Sequence, residues 1–137
     1  MISTKSLIFA TGLTLSAIGF TACGNNEQVQ NSQASTLEQI KKNGVIRVAV
    51  FADNPPFGYV DSEGKNQGFD IAVAKHVAKD LLGDENKIEY VVTEAANRVE
   101  FLKSNKVDVV FASFSVTPER IEVVDFAEPY LKASLGI

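Results

Sequence analysis

Three short β-branched runs, separated by stretches of helical period, constrain what this chain can fold into. They are residues 45–51 (VIRVAVF), 88–93 (IEYVVT) and 107–112 (VDVVFA). The first is apolar except for Arg47, as in a strand covered on both faces. Between the first two, residues 69–82 place Val73, Val77 and Leu81 on one line with Ala74 and Ala78 beside it. Asp70 lies in the cap region of that helix and Gly83 ends it. Between the last two, residues 94–105 repeat apolar positions at Ala95, Val99 and Leu102. Ahead of them all, Thr36-Leu-Glu-Gln39 reads as a capping box and Gly44 as the stop of a short helix. Residues 53–57 are a loop, because Pro55 and Pro56 do not fit a central strand. Tyr59, Val60 and the polar, Gly-containing stretch 61–68 read as a hairpin-like excursion. Residues 117–124 make a short helix, and residues 131–137 start a further strand. The order predicts an open, mostly parallel α/β sheet flanked by helices. Ligands of such sheets bind beyond the carboxyl ends of the strands. The loops after Phe51, Thr93 and Ala112 all lie at that edge.

The loop after the third run carries the most chemistry. Ala112-Ser-Phe-Ser-Val-Thr-Pro-Glu-Arg120 brings two serine hydroxyls, a helix start and an arginine within nine residues. Thr117 suits an N-cap and Pro118 the first helical position. Val116 and Ile121 are spaced for a hydrophobic staple. A helix start offers unpaired N–H groups to an anion. Arg120 in the first turn runs against the dipole preference, and its forked guanidinium suits a carboxylate. The same residues also occur as plain loop-to-helix punctuation, with Arg120 paired to Glu119 or to solvent.

Composition narrows the classes. The 137 residues carry a net charge of −4 and a single Cys. The balance is more acidic once Lys5, the only charge before Cys23, is set aside. A nucleic-acid surface is not expected, and neither is an internal disulfide, a cysteine-based zinc site or a cofactor. His76 has no metal partner at i±3 or i±4 and reads as a surface residue. Residues 1–23 read as a targeting segment: Lys5, an apolar stretch over 7–20 too short to span a bilayer, then Phe20-Thr-Ala-Cys23. This resembles the signal peptide of a bacterial lipoprotein, with Cys23 lipidated, although Phe20 stands where Leu is usual; a plain secretory signal is the alternative. Residues 24–35, rich in Asn, Gln and Ser, read as a flexible linker to a domain over 36–137.

Gly68-Phe-Asp-Ile71, the 113–120 segment and Val124-Asp-Phe-Ala-Glu-Pro-Tyr130 together resemble the family 3 extracellular solute-binding proteins, the polar amino-acid receptors of ABC importers. Ala72 departs from the acidic residue usual in that signature, at a position expected to face solvent. The resemblance implies a periplasmic-binding-protein-like type II fold, of which residues 36–137 are lobe 1 only, with the second lobe absent. It implies an α-carboxylate held by Arg120, with Ser115 and Thr117 on the strand-to-helix segment and Ser113 as a variable contact. Phe51, Asp53 and Phe57, after the first strand, are candidates for the side-chain wall. Arg98 in Ala96-Asn-Arg98 favours an acidic ligand or cysteine/cystine, or is a solvated residue paired with Glu94 or Glu100. Phe111, Phe114, Phe126 and Tyr130 read as core rather than stacking platforms, and Asp108 and Asp125 as turn or edge residues.

The implied protein is a monomer, lipid-anchored on the extracytoplasmic face of the cell membrane. It hands its ligand to permease and ATPase subunits. The second lobe of the family supplies the acid for the ligand's ammonium, so a lobe 1 fragment is expected to bind weakly. Losing a buried charged partner typically costs about 2–5 kcal/mol. An enzyme on the same fold (a dehydratase or murein-cleaving enzyme) and a non-functional truncated lipoprotein remnant are the alternatives.

Overall fold

The computed structural model describes residues 35–132. The targeting segment, Cys23, nearly all of the linker and residues 133–137 lie outside that range. The elements run α1 (Thr36–Asn43), β1 (Ile46–Val50), β2 (Asp53–Asn54), β3 (Gly58–Val60), β4 (Asn66–Gln67), α2 (Phe69–Leu82), β5 (Ile88–Val92), α3 (Arg98–Lys103), β6 (Val109–Phe111) and α4 (Pro118–Ile121).

The capping box of α1 sits one residue earlier than the sequence suggests. Ser35 is the N-cap, with its Oγ accepting from Glu38 N–H at 3.3 Å and Glu38 Oε2 accepting from Ser35 N–H at 2.9 Å. Both registers have a hydroxyl three residues ahead of Glu or Gln, and the box forms in the register that ends on the Glu38 carboxylate.

The parallel sheet has the order β5-β1-β6. Val50 is level with Val92 on one side and Phe111 on the other, so the three carboxyl ends coincide. In the central strand Val48, Ala49 and Val50 are fully buried. Helix α2 covers the sheet with Ile71, Ala74 and Ala78, while Val77, Leu81 and Leu82 pack at the margin of that core. The buried stripe is therefore offset from the line through Val73. Small Ala side chains lie nearest the strands, where little room separates helix and sheet. Ala72 faces solvent, as its position suggested.

Arg47 explains the one charge in β1. Its Nη2 meets Asp108 Oδ1 at 2.6 Å and its Nε meets Oδ2 at 3.2 Å, while Nη1 donates to Asn105 O at 2.7 Å. The backbone N–H of Arg47 also donates to Asp108 Oδ2. This bidentate pair ties β1 to the turn that leads into β6.

Residues 53–67 form more than a loop. β2, β3 and β4 make a small antiparallel sheet, with Asp53 opposite Tyr59 and Tyr59 opposite Gln67. Pro55 and Pro56 sit in the turn between β2 and β3, where neither interrupts a ladder. The sheet abuts α2: Phe69 N–H donates to Pro56 O and Asp70 N–H to Phe57 O. Gly68, at φ 114°, makes this approach possible, because a Cβ there would lie 2.2 Å from Phe57 O. Helices α3 and α4 are shorter than their sequence patterns. Residues 94–97 form a turn ahead of α3, and Ala95 is exposed. Leu131 and Lys132, the described part of the expected last strand, carry no strand structure.

Candidate functional site

The loops after β1, β5 and β6 meet at the carboxyl edge of the sheet, and Arg98 is the pin through them. Only 7% exposed, it is far from the solvated residue that the sequence also allowed. Its Nε donates to Ala95 O at 3.0 Å, and its Nη1 donates to Ala112 O at 2.9 Å and Ser113 O at 3.1 Å. Its guanidinium lies 5.5 Å from the Phe51 ring centroid and 4.8 Å from that of Phe114. Burial, and then the charge of Arg120, push its pKa below the usual arginine value. A cation is kept there by carbonyl oxygens and ring faces rather than by a carboxylate.

Arg120 stands on the other loop-borne segment. Its Nη1 donates to Ser115 O at 2.8 Å, and its guanidinium lies 4.8 Å from the Phe114 centroid. Among the described residues, nothing bonds its Nε or Nη2. That edge of the fork is free to take both oxygens of a carboxylate. The helix start contributes less than its sequence suggests. α4 is a single turn, and the Thr117 hydroxyl bonds no backbone N–H at the cap. Glu119's own backbone N–H, then the nearby Thr117 hydroxyl and the charge of Arg120, hold the Glu119 carboxyl below the usual carboxylate range. Val116 and Ile121 are both about half exposed, at 48% and 57%, so no buried staple forms.

Ser113 is held in a left-handed conformation, φ 46°, which an L side chain adopts at a cost. Four contacts hold it. Its N–H donates to Asp70 Oδ2 at 3.2 Å, its Oγ accepts from Asn54 Nδ2 at 3.1 Å, and its carbonyl and that of Ala112 accept from Arg98. Asp70 is 1% exposed, and its other oxygen accepts from Tyr130 O–H at 2.9 Å. Burial and that carboxylate push the Tyr130 hydroxyl far above the usual phenol range.

Asp70, Asn54, Phe114 and Tyr130 were not singled out for the site by sequence reasoning. Asp70 and Tyr130 were both within motifs that carried the family resemblance, which was the available signal. Phe114 is no plain core residue: it packs at a tilt against Phe126, 5.1 Å between centroids, and underlies both arginines. Tyr130 packs against Phe69 and Phe111, each at 5.9 Å.

The structure brings Arg120, Ser115, Ser113, Arg98 and Phe51 into one cluster, with Thr117 at its margin. Phe57 lies across from Ser113 on a cavity of about 350 Å³ bounded by β6 and residues 125–131. Neither arginine lines that cavity; it adjoins the arginine cluster through Ser113, Phe114 and Ser115. Asp53 is exposed on β2, and no side-chain hydrogen bond joins it to the cluster. Among the described residues there is no group of three or more potential metal ligands, and no helix is long and apolar enough to cross a membrane.

A parallel α/β lobe with an arginine cluster at its carboxyl edge is one lobe of a type II periplasmic binding protein. Residues 46–137 match the bacterial extracellular solute-binding proteins, family 3, and the chain belongs to that family. It is 37% identical over 121 residues to the glutamine-binding protein GlnH of an ABC transporter in Bacillus subtilis, covering 85% of this chain and 44% of that protein. It is 33% identical over 101 residues to the cyclohexadienyl dehydratase of Pseudomonas aeruginosa, covering 74% of this chain and 37% of that protein. Among solved structures, the cysteine-binding protein of Campylobacter jejuni is 64% identical with a TM-score of 0.68, over 69% of this chain and 38% of that one. The arginine-bound form of domain 1 from TmArgBP is 36% identical with a TM-score of 0.62, over 67% of this chain and 71% of that one. The chain thus spans less than half the length of the first curated relatives, 44% and 40%. The family comprises extracellular binding proteins, and its curated relatives include amino-acid receptors of ABC transporters alongside the dehydratase.

Proposed function

We propose that this chain contributes the carboxylate-binding lobe of an amino-acid receptor, with L-cysteine as ligand. The observation that carries the reading is Arg120. Its Nη1 is tethered to Ser115 O and its guanidinium lies over the Phe114 ring, which leaves the Nε/Nη2 edge unpaired among the described residues. That edge receives the α-carboxylate, with the Ser115 and Thr117 hydroxyls and nearby backbone N–H groups as further donors. Arg98 contributes field more than direct contact, since three of its hydrogen bonds already go to carbonyls. A small uncharged side chain then rests against Phe51 and Phe57, with Asp53 at the rim. The 64% identity to a cysteine-binding protein favours this ligand over glutamine or an acidic amino acid.

A lobe alone holds ligand in the arginine-bound TmArgBP domain, which supports binding by the part described here. The same reading has a monomer lipidated at Cys23 on the extracytoplasmic face, delivering its ligand to an ABC permease and its ATPase; radiolabelled palmitate should enter the chain and not its Cys23→Ala variant.

Titration calorimetry with L-cysteine, cystine, L-glutamate and L-glutamine tests the ligand. L-cysteine binding that falls at least 30-fold in Arg120→Ala supports the proposal, since losing one buried charged hydrogen-bonding partner typically costs about 2–5 kcal/mol. Unchanged affinity in that variant would sink it. The dehydratase relative supplies a second reading, an enzyme on the same lobe architecture; turnover of prephenate would favour it.

A further inference from the structure

We propose that Phe114 is a positioning residue of the amino-acid site: its ring carries the Arg98 and Arg120 guanidinium groups together and sets the direction of the free edge of Arg120. The inference rests on the carboxylate-binding role given to Arg120 above.

Both guanidinium carbons lie 4.8 Å from the Phe114 centroid. Among the described residues, the ion pairs are Arg47–Asp108, Lys65–Glu63 and His76–Asp80, so neither cation of the cluster has a carboxylate at ion-pair distance, and only Glu119, further off, feels the charge of Arg120. Two like charges at one site repel, and one of them is nearly buried. Arg98 withstands this because three hydrogen bonds to carbonyls and a second ring, Phe51, hold it. Among the described residues the Arg120 side chain has one hydrogen bond, to Ser115 O, and the Phe114 ring. One hydrogen bond leaves the guanidinium free to rotate about the Nη1···O line. The negative face of the ring removes that freedom and offsets part of the repulsion. The ring is itself braced by Phe126, which packs against it at 5.1 Å with the two planes tilted by 45°. Segment 125–131, which carries Phe126 and Tyr130, therefore reaches the ligand-facing edge of Arg120 through one aromatic contact. An ordinary core position would need only volume here, and a Leu or Met would serve.

The test uses the full chain with Phe114→Leu and Phe114→Tyr, titrated with L-cysteine and L-glutamate. Phe114→Leu should weaken binding about tenfold, and Phe114→Tyr should stay within about threefold of the parent, since cation–π contacts of this kind require a ring. In an Arg120→Ala background the Leu substitution should add little further loss. Equal losses for Leu and Tyr, or full additivity with Arg120→Ala, would overturn the proposal in favour of simple packing. A second readout is independent of ligand: the arginine Nε–H resonances of Arg98 and Arg120 should be ring-shifted in the parent chain and revert in Phe114→Leu. If the parent binds no amino acid, the ligand assignment fails, while absent ring shifts refute the platform itself.

Discussion

Replacing Gly68 by Ala is predicted to be among the most damaging single-methyl changes in the lobe. Gly68 has φ 114° and ψ 179°, a region that residues with a Cβ almost never enter. Forcing Ala to hold it costs about 1–3 kcal/mol. The methyl would also lie 2.2 Å from Phe57 O, 2.7 Å from Phe57 C and 2.8 Å from Pro56 O, all rigid backbone. Relief requires the turn to withdraw by about 1 Å, and these carbonyls accept from Asp70 N–H at 2.9 Å and Phe69 N–H at 3.0 Å. Stretching both bonds past useful length forfeits about 0.5–1.5 kcal/mol each. The total is about 2–6 kcal/mol, a large share of the 5–15 kcal/mol typical of a domain. Gly83 is the control: its φ is 76°, but nothing lies within 4 Å of a Cβ there. Gly83→Ala should cost only about 1–2 kcal/mol, the left-handed penalty alone. Urea unfolding followed by circular dichroism measures both. If Gly68→Ala lies within about 1 kcal/mol of Gly83→Ala, the argument from the turn's close approach is wrong.

Further outcomes follow from the Asp70 network. Asp70→Ala strands the Ser113 N–H and the Tyr130 hydroxyl, and should cost about 2–3 kcal/mol in the same unfolding assay; Asp70→Asn keeps one acceptor and should cost less than half as much. The Tyr130 hydroxyl is held neutral by burial and by the Asp70 carboxylate, so its folded pKa exceeds the unfolded value of about 10. The stability it confers is complete below pH 10 and is lost as pH rises above that, because only the unfolded state then ionises. Tyr130→Phe should therefore flatten the fall in stability above pH 10, and ultraviolet difference titration should lose a late-ionising phenol; a parent and variant with the same alkaline slope would contradict this.

Much of the architecture was legible in the chain because it depends on local pattern. The β-branched runs gave β1, β5 and β6 within a residue or two, and the 69–82 periodicity gave α2 with its bounds. The parallel order and the meeting of three loops at one edge followed from alternation of strand and helix. The short antiparallel sheet at 53–67 was reduced to a loop and an excursion, since strands of two or three residues carry no measurable alternation. α3 started later and both α3 and α4 ended sooner than their patterns, because apolar spacing continues into the flanking turns.

The sequence by itself determined which groups stand at the candidate site: an arginine and hydroxyls after the third parallel strand, the place proposed for an anion. Only the tertiary structure decided how those groups are held. Arg98 could be a solvated residue or a ligand contact from its neighbours alone. Its burial against Phe51, Phe114 and the carbonyls of Ala112 and Ser113 is set by residues 14 to 47 positions away. Asp70 likewise looked like a helix-cap residue, and became the buried acceptor joining α2 to Ser113 and Tyr130, 43 and 60 positions on. Hydrogen-bond partners that distant leave no period in the sequence. They are fixed by the packing of α2 onto the sheet, which brings the loops within reach.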